Sequence, residues 1–245
     1  MDQGEQGAGH RVAAGLRARW KLLAALLAAV VAAVVVVVVV NSATEPGKRW
    51  QEGETRGRWR AVFNGHGEVR GGNGEVVLAP AAADQPSKTY AGLVVSAASY
   101  GDFRLRVRVR TDRQLREPRP NPWEVGWVLW HYTDPKHFYY VILKPNGWEL
   151  GKEDPAYPGA QRFLAGGRGN FPVDRWHEVE VQQTGAAITV WANGKHLVNF
   201  TDGERPYPHG QLGLYAEDSE ARFRDFQVEP VSSPAHQQSR PEAVG

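Results

Sequence analysis

The sequence contains no cysteine, which excludes a disulfide framework and any thiolate metal site. It shows no internal repeat, which argues against propeller and solenoid architectures. Beyond residue 41 it shows no helical periodicity, and its main body carries no net charge. The formal charge of +2 comes from the ends: residues 1–41 hold four Lys/Arg against two acids, residues 230–245 hold one of each, and residues 42–229 hold 24 of each sign. A protein that grips a phosphate backbone needs a basic domain or stripe, so no nucleic-acid partner is expected.

Aromatic residues are plentiful. Nine Trp, eight Tyr and eight Phe supply rigid anchors for a core or a ligand face. One long apolar run is present as well: Leu22 to Val40, 19 residues ending in seven valines. At about 1.5 Å per residue it spans the roughly 30 Å hydrocarbon layer. Arg11, Arg17, Arg19 and Lys21 precede it without an intervening acid, whereas Glu45, Lys48, Arg49, Glu52 and Glu54 on the other side are mixed. The basic flank faces the cytoplasm. The expectation is a single-pass anchor in the cell membrane, with a cytoplasmic stub at 1–21, the span at 22–40 and everything after it extracytoplasmic. The alternative is a cleaved signal peptide, although such apolar regions are usually only about 7–15 residues long and Asn41-Ser-Ala43 is a poor cleavage site.

Residues 41–56 lack periodicity and read as a linker, and residues 230–245, with three prolines, read as a disordered tail. Between them, at 57–229, hydrophobicity alternates with period two and Gly, Pro, Asn and Asp clusters cut the chain into short runs, the pattern of an antiparallel sandwich or barrel. Strands are predicted over 59–64, 75–79, 91–96, 102–110, 124–131, 137–144, 147–152, 161–165, 176–183, 187–192, 195–200, 210–216 and 221–229. In the fourth of these, Phe103, Leu105, Val107 and Val109 share one face, and Arg104, Arg106, Arg108 and Arg110 share the other. That arginine face reads either as a ladder for an anionic ligand or interaction partner, or as a solvated surface paired with Glu178 and Glu180 of another strand. Asn193-Gly194 accepts positive φ at both central positions of a tight hairpin.

The 57–229 region resembles the concanavalin A-like jelly-roll superfamily and, within it, the bacterial family named for 3-keto-disaccharide hydrolase domains. The likeness rests on Phe63-Asn-Gly65, Gly101-Asp-Phe-Arg-Leu105, Phe138-Tyr-Tyr140, Arg175-Trp-His177, Trp191-Ala-Asn-Gly194, Gly210-Gln-Leu-Gly-Leu214 and Phe223-Arg-Asp-Phe226. It implies an all-β antiparallel jelly-roll sandwich and, for many relatives, binding or cleavage of carbohydrate at the cell surface. It implies no required cofactor, but a structural calcium held in part by an acid of the final strand, which matches Asp225. The Glu-x-Asp-x-Glu strand of laminarinase-like members is missing, and Glu178-Val-Glu180 is only half of it.

The densest stretch of chemistry runs from Trp123 to Pro155. Period-two counting places Trp127 and His131 on one face of the first strand, Tyr140 and Lys144 on one face of the second, and Glu149 with Gly147 and Gly151 on the third. An aromatic floor flanked by Lys144, Lys152, Glu149 and His131 suits a sugar ring. The competing reading packs Trp127, Trp130 and Trp148 into the core and makes Lys144–Glu149 a plain cross-strand ion pair. Glycoside cleavage needs two carboxyls, about 5–10 Å apart in hydrolases, and Glu149, Glu153 and Asp154 are the candidates for acid and base. His131, His137, His177 and Asp134 could hold a metal only if the fold brought them together. Three functions therefore remain open: a carbohydrate-binding module, a hydrolase or lyase acting on disaccharide-like substrates, and a protein-interaction domain of the cell envelope.

Overall fold

The computed structural model describes residues 47–231, so the stub at 1–21, the anchor at 22–40 and the tail beyond residue 231 lie outside the described residues. Sixteen strands and no helix occupy the described part. In chain order they are β1 (Lys48–Trp50), β2 (Thr55–Arg56), β3 (Trp59–Phe63), β4 (Glu68–Gly72), β5 (Glu75–Ala79), β6 (Ala91–Tyr100), β7 (Phe103–Gln114) and β8 (Gly126–Asp134). They continue with β9 (His137–Lys144), β10 (Gly147–Glu153), β11 (Gln161–Gly167), β12 (His177–Thr184), β13 (Ala187–Ala192), β14 (Lys195–Thr201), β15 (Gly210–Glu217) and β16 (Ser219–Pro230).

Two eight-stranded antiparallel sheets stack face to face. The first has the order β1-β4-β5-β16-β7-β12-β13-β14, and the second β11-β10-β9-β8-β15-β6-β3-β2. Consecutive strands often change sheet, as β6 to β7 and β15 to β16 do, and this crossing is the jelly-roll arrangement. Phe103, Leu105, Val107 and Val109 of β7 point into the sandwich and meet Val128, Trp130, Tyr139, Val141 and Leu150 from the second sheet in one buried core. The arginines opposite them are paired as the solvated-face reading requires. Glu180 lies across from Arg106, accepts from its guanidinium at 2.9 Å and accepts from Arg104 Nε at 2.7 Å. The Asn193-Gly194 hairpin forms with φ values of 50° and 73°.

Three strands escaped the period-two pattern, and one expectation is corrected. The predicted linker 41–56 is, over its described part, built into the sandwich: β1 pairs with β4, and β2 pairs with β3. The reason is Trp50, which is buried against the backbone of Gly71, a residue whose missing Cβ leaves room for the indole. A three-residue strand with one apolar residue shows no alternation, and β4, with only Val69 as a core apolar residue, shows little more.

Candidate functional site

The second sheet is apolar on both faces. Its outer face carries a second hydrophobic cluster, made of Leu93, Val95, Val125, Trp127, Leu129, Tyr132, Tyr140 and Ile142, on which Phe63, Phe138 and Tyr215 pack. Above this floor opens a cleft of about 700 Å³, within the range of small-molecule sites. Its walls are Trp123 and Phe163, the large hydrophobic side chains most exposed among the described residues, at 45% and 65%. Its polar groups are Lys144, Glu149, Glu153, Gln161 and Glu217.

The pleat explains which residues reach it. On β9, Phe138, Tyr140, Ile142 and Lys144 alternate outward; on β10, Glu149, Gly151 and Glu153 do so; on β15, Tyr215 and Glu217 follow. Trp127 is 7% exposed, with its indole 4.6 Å from the Tyr140 ring and 5.4 Å from the Tyr215 ring, and its Nε1–H donates to the Trp123 carbonyl at 2.9 Å. Tyr140 lies across Gly151, its partner on β10, where any Cβ would collide with the ring. From there its hydroxyl donates to Glu149 at 2.9 Å and accepts from the Gln161 amide at 2.8 Å. Lys144 Nζ donates to the other Glu149 oxygen at 2.8 Å.

Glu153 and Glu217 differ from Glu149 in having no cation beside them. Burial pushes the Glu153 carboxyl above its ordinary value, and the charge of Glu217 adds to the effect. Burial raises Glu217 too. The Tyr215 hydroxyl, donating at 2.6 Å, opposes that rise, while Asp218 and Glu124 reinforce it. Arg116, the nearest cation to this group, is committed to ion pairs with Glu124 and Asp218. Two carboxyls that hold protons more tightly than usual therefore share one apolar cleft.

The residues singled out in the sequence divide into two groups. Trp127, Lys144, Glu149 and Glu153 line the cleft, and Tyr140, fully buried beneath it, supports Trp127 and Glu149. His131 and Lys152 do neither, contrary to the period-two count for His131. That residue adopts φ 49° within a register shift of β8, so the alternation slips by one and Tyr132 takes the outward position. The imidazole turns inward, with its two nitrogens 2.7 Å from the Tyr207 carbonyl and 3.0 Å from that of Gly101. Lys152 alternates with Glu153 and is 0% exposed on the core side. There its three protons go to Asp202 (2.8 Å), the Glu204 carbonyl (2.9 Å) and the Arg205 carbonyl (2.6 Å).

Asp154 lies against Arg205 at 3.2 Å. Burial raises its pKa, but the Ala156 amide and Arg205 outweigh that and hold it below the ordinary carboxylate value, so it stays ionised. Trp130 and Trp148 are core residues. His137 meets Asp134 at 2.9 Å, but His131 and His177 lie elsewhere, and among the described residues no three metal-ligating side chains converge. Nor does Asp225 fit a calcium ion. It is exposed on β16 at φ 58° and paired with Arg108 at 3.7 Å and Arg224 at 3.4 Å, a cationic setting that opposes a divalent cation.

Glu217, Tyr215, Trp123, Tyr132, Gln161 and Phe163 escaped the sequence reading. The alternation Gln211, Gly213, Tyr215, Glu217 was visible, but nothing local shows that β15 lies beside β8.

Fold and cleft together define a jelly-roll β-sandwich with a ligand-sized cleft on the outer face of one sheet. The chain belongs to the family of 3-keto-alpha-glucoside-1,2-lyase-like domains, whose model matches residues 46–229. Among solved structures, the carbohydrate-binding module CBM66 from Bacillus subtilis is similar at 16% identity and TM-score 0.51, over 70% of this chain and 94% of that one. A structure described with endo-acting O-glycanases of the human gut microbiota is similar at 16% identity and TM-score 0.51, over 77% of this chain and 93% of that one. A native glycosidic hydrolase matches at 13% identity and TM-score 0.50, over 76% and 97%. These identities speak for the fold alone. No curated protein matches.

Two outcomes follow from this geometry. Gly151→Ala displaces the Tyr140 ring and costs roughly 1–3 kcal/mol, measured by denaturant unfolding; an unchanged midpoint would contradict the packing of Tyr140 on Gly151. A raised carboxyl pKa adds stability that is present at low pH and lost as pH rises through the folded value. Glu217→Gln therefore raises Tm at about pH 8 and loses that advantage at about pH 4, where the native carboxyl is also neutral.

Proposed function

We propose that this protein is a membrane-tethered, extracytoplasmic domain that binds carbohydrate in the cleft on the outer face of its second sheet. The observation that carries this reading is the Trp127–Tyr215 floor, backed from beneath by the buried Tyr140 ring, with carboxyls and an ammonium at its edge. Sugar rings present apolar C–H faces that stack on aromatic rings, while their hydroxyls take hydrogen bonds from Lys144 and give them to Glu149, Glu153 and Glu217. Trp123 and Phe163, exposed at the mouth, give a ring somewhere to land first. Residues 22–40 supply the tether, an inference from the apolar run and its basic flank. The family's 3-keto-alpha-glucoside-1,2-lyase-like description and the neighbouring carbohydrate-binding module agree with a glycan ligand.

A second reading, cleavage of a disaccharide-like substrate, is favoured by one observation: Glu153 and Glu217 both have raised pKa values in the same cleft. In that reading they are the acid and base. Glu149, held by Lys144 and Tyr140, orients the substrate, and Asp154, tied to Arg205, takes no part.

The full chain in detergent, tested against a glycan array, is expected to bind. Trp127→Ala should weaken binding by roughly tenfold, the scale of a lost aromatic stacking contact. Trp176→Ala, at the residue just before β12 that lies against Arg108 and Arg224 of the first sheet, should leave it unchanged. Loss only with Trp176→Ala would transfer the site to the arginine face. Products released from disaccharides by the native chain, and lost in both Glu153→Gln and Glu217→Gln, would establish the second reading.

A further inference from the structure

The cleft has an imbalance that its shape alone does not require. Four charged side chains line it: Lys144, Glu149, Glu153 and Glu217. The one cation is already spent, because Lys144 Nζ sits 2.8 Å from Glu149, and both are mostly buried. Three nearby arginines, Arg116, Arg162 and Arg205, are committed elsewhere. Arg116 lies behind Glu217 but is ion-paired with Glu124 and Asp218. Arg162 of β11 turns to the opposite face, where it meets Glu204 at 3.1 Å and Asp202 at 3.9 Å. Arg205 is held by Asp154 at 3.2 Å. Arg60 of β3 does not line the cleft. Glu153 and Glu217 thus reach an apolar, partly dehydrated space from two strands, β10 and β15, separated in the sheet by β9 and β8, and neither has a cation of its own.

We infer that the cleft selects its ligand by charge: it takes a sugar bearing a protonated amine in preference to a neutral one and rejects uronic, sulfated and phosphorylated sugars, with Glu153 and Glu217 as the specificity-determining residues. The inference rests on the carbohydrate reading of this cleft and adds the class of sugar. An ammonium placed between the two carboxyls supplies the missing counter-charge. It does so where aromatic walls displace water and weaken screening, so the attraction exceeds that of an exposed pair. A ligand carboxylate or sulfate meets two like charges and finds no free guanidinium or ammonium in the cleft lining to offset its loss of hydration. Both carboxyls retain their protons more tightly than usual because burial strips them of water, and the acids around them, Glu217 beside Glu153 and Asp218 and Glu124 beside Glu217, reinforce the effect.

The test compares sugars that differ in charge but share a ring. Isothermal titration of the full chain in detergent would use methyl glucoside, glucosamine, 6-amino-6-deoxyglucose and glucuronate, with the corresponding galacto series beside them. Within the series that binds, an amine-bearing sugar should bind roughly tenfold tighter than the neutral one, and the uronate at least roughly tenfold weaker. Raising the salt concentration should narrow both gaps. The double variant Glu153→Gln/Glu217→Gln, with folding checked by thermal denaturation, should bring all the sugars to similar affinity, whereas Trp127→Ala should weaken them in common. If the single-charge variants fold and the double does not, each single variant should close part of the gap. A uronate that binds as well as the neutral sugar, or a ranking unchanged in the glutamine variants, overturns the charge selection and leaves the cleft a carbohydrate site. Absence of binding by sugars of every charge overturns the carbohydrate reading itself.

Discussion

Alternation across the pleat of the second sheet is the constraint on which the rest of this structure depends. Each of its central strands must satisfy two apolar environments, the core shared with the first sheet and the floor of the cleft. Trp127, Leu129 and Tyr132 serve one, and Val128 and Trp130 serve the other. A strand with a single phase could not do this along all of β8, because a polar imidazole falls due in the outward row. The left-handed residue His131 absorbs the conflict. It takes up one extra residue, turns its own ring to the carbonyls of Gly101 and Tyr207, and returns Tyr132 to the cleft.

The same alternation fixes β10, where Lys152 and Glu153 are neighbours with opposite fates. Burying an ammonium costs several kcal/mol unless every proton is received, and here all three are. Asp202 takes a further hydrogen bond from the Tyr139 hydroxyl at 2.6 Å; although burial raises its pKa, these bonds outweigh it and keep the carboxylate charged. Tyr207 then donates to the Glu153 carbonyl at 2.6 Å. The core side of β10 is thereby stapled to the segment before β15. The backbone from which Glu149 and Glu153 project is held in place by a network that never enters the cleft.

Much of the sandwich was legible in the sequence. Runs such as Phe103–Val109 alternate cleanly because one face is dry and the other wet, and Asn193-Gly194 marks its own turn. β1 and β4 were illegible for the converse reason: each commits one or two residues to the core, and the fit of Trp50 on Gly71 is a contact between distant segments. The site was half legible. Trp127, Tyr140, Lys144, Glu149 and Glu153 lie within one stretch of three successive hairpin-connected strands, where counting by two works. Counting by two fails for His131, where a bulge intervenes. It is silent on Glu217 and Tyr215, whose strand comes to β8 from far along the chain. Lys152, expected beside the floor with Glu149, lies instead on the opposite face of β10, and nothing local shows that this face is the dry one.

The central claim is that the outer face of the second sheet, and no other surface, receives carbohydrate. Fluorine NMR of the full chain labelled with 5-fluorotryptophan separates the possibilities, because the tryptophans are distributed over distinct surroundings: Trp123 and Trp127 in the cleft, Trp59, Trp130 and Trp148 in the core, Trp176 and Trp191 beside the arginines of the first sheet. Titration with a bound sugar should move the resonances of Trp123 and Trp127 and leave those of Trp130, Trp176 and Trp191 in place. Movement of Trp176 and Trp191 with Trp127 unmoved would contradict the account.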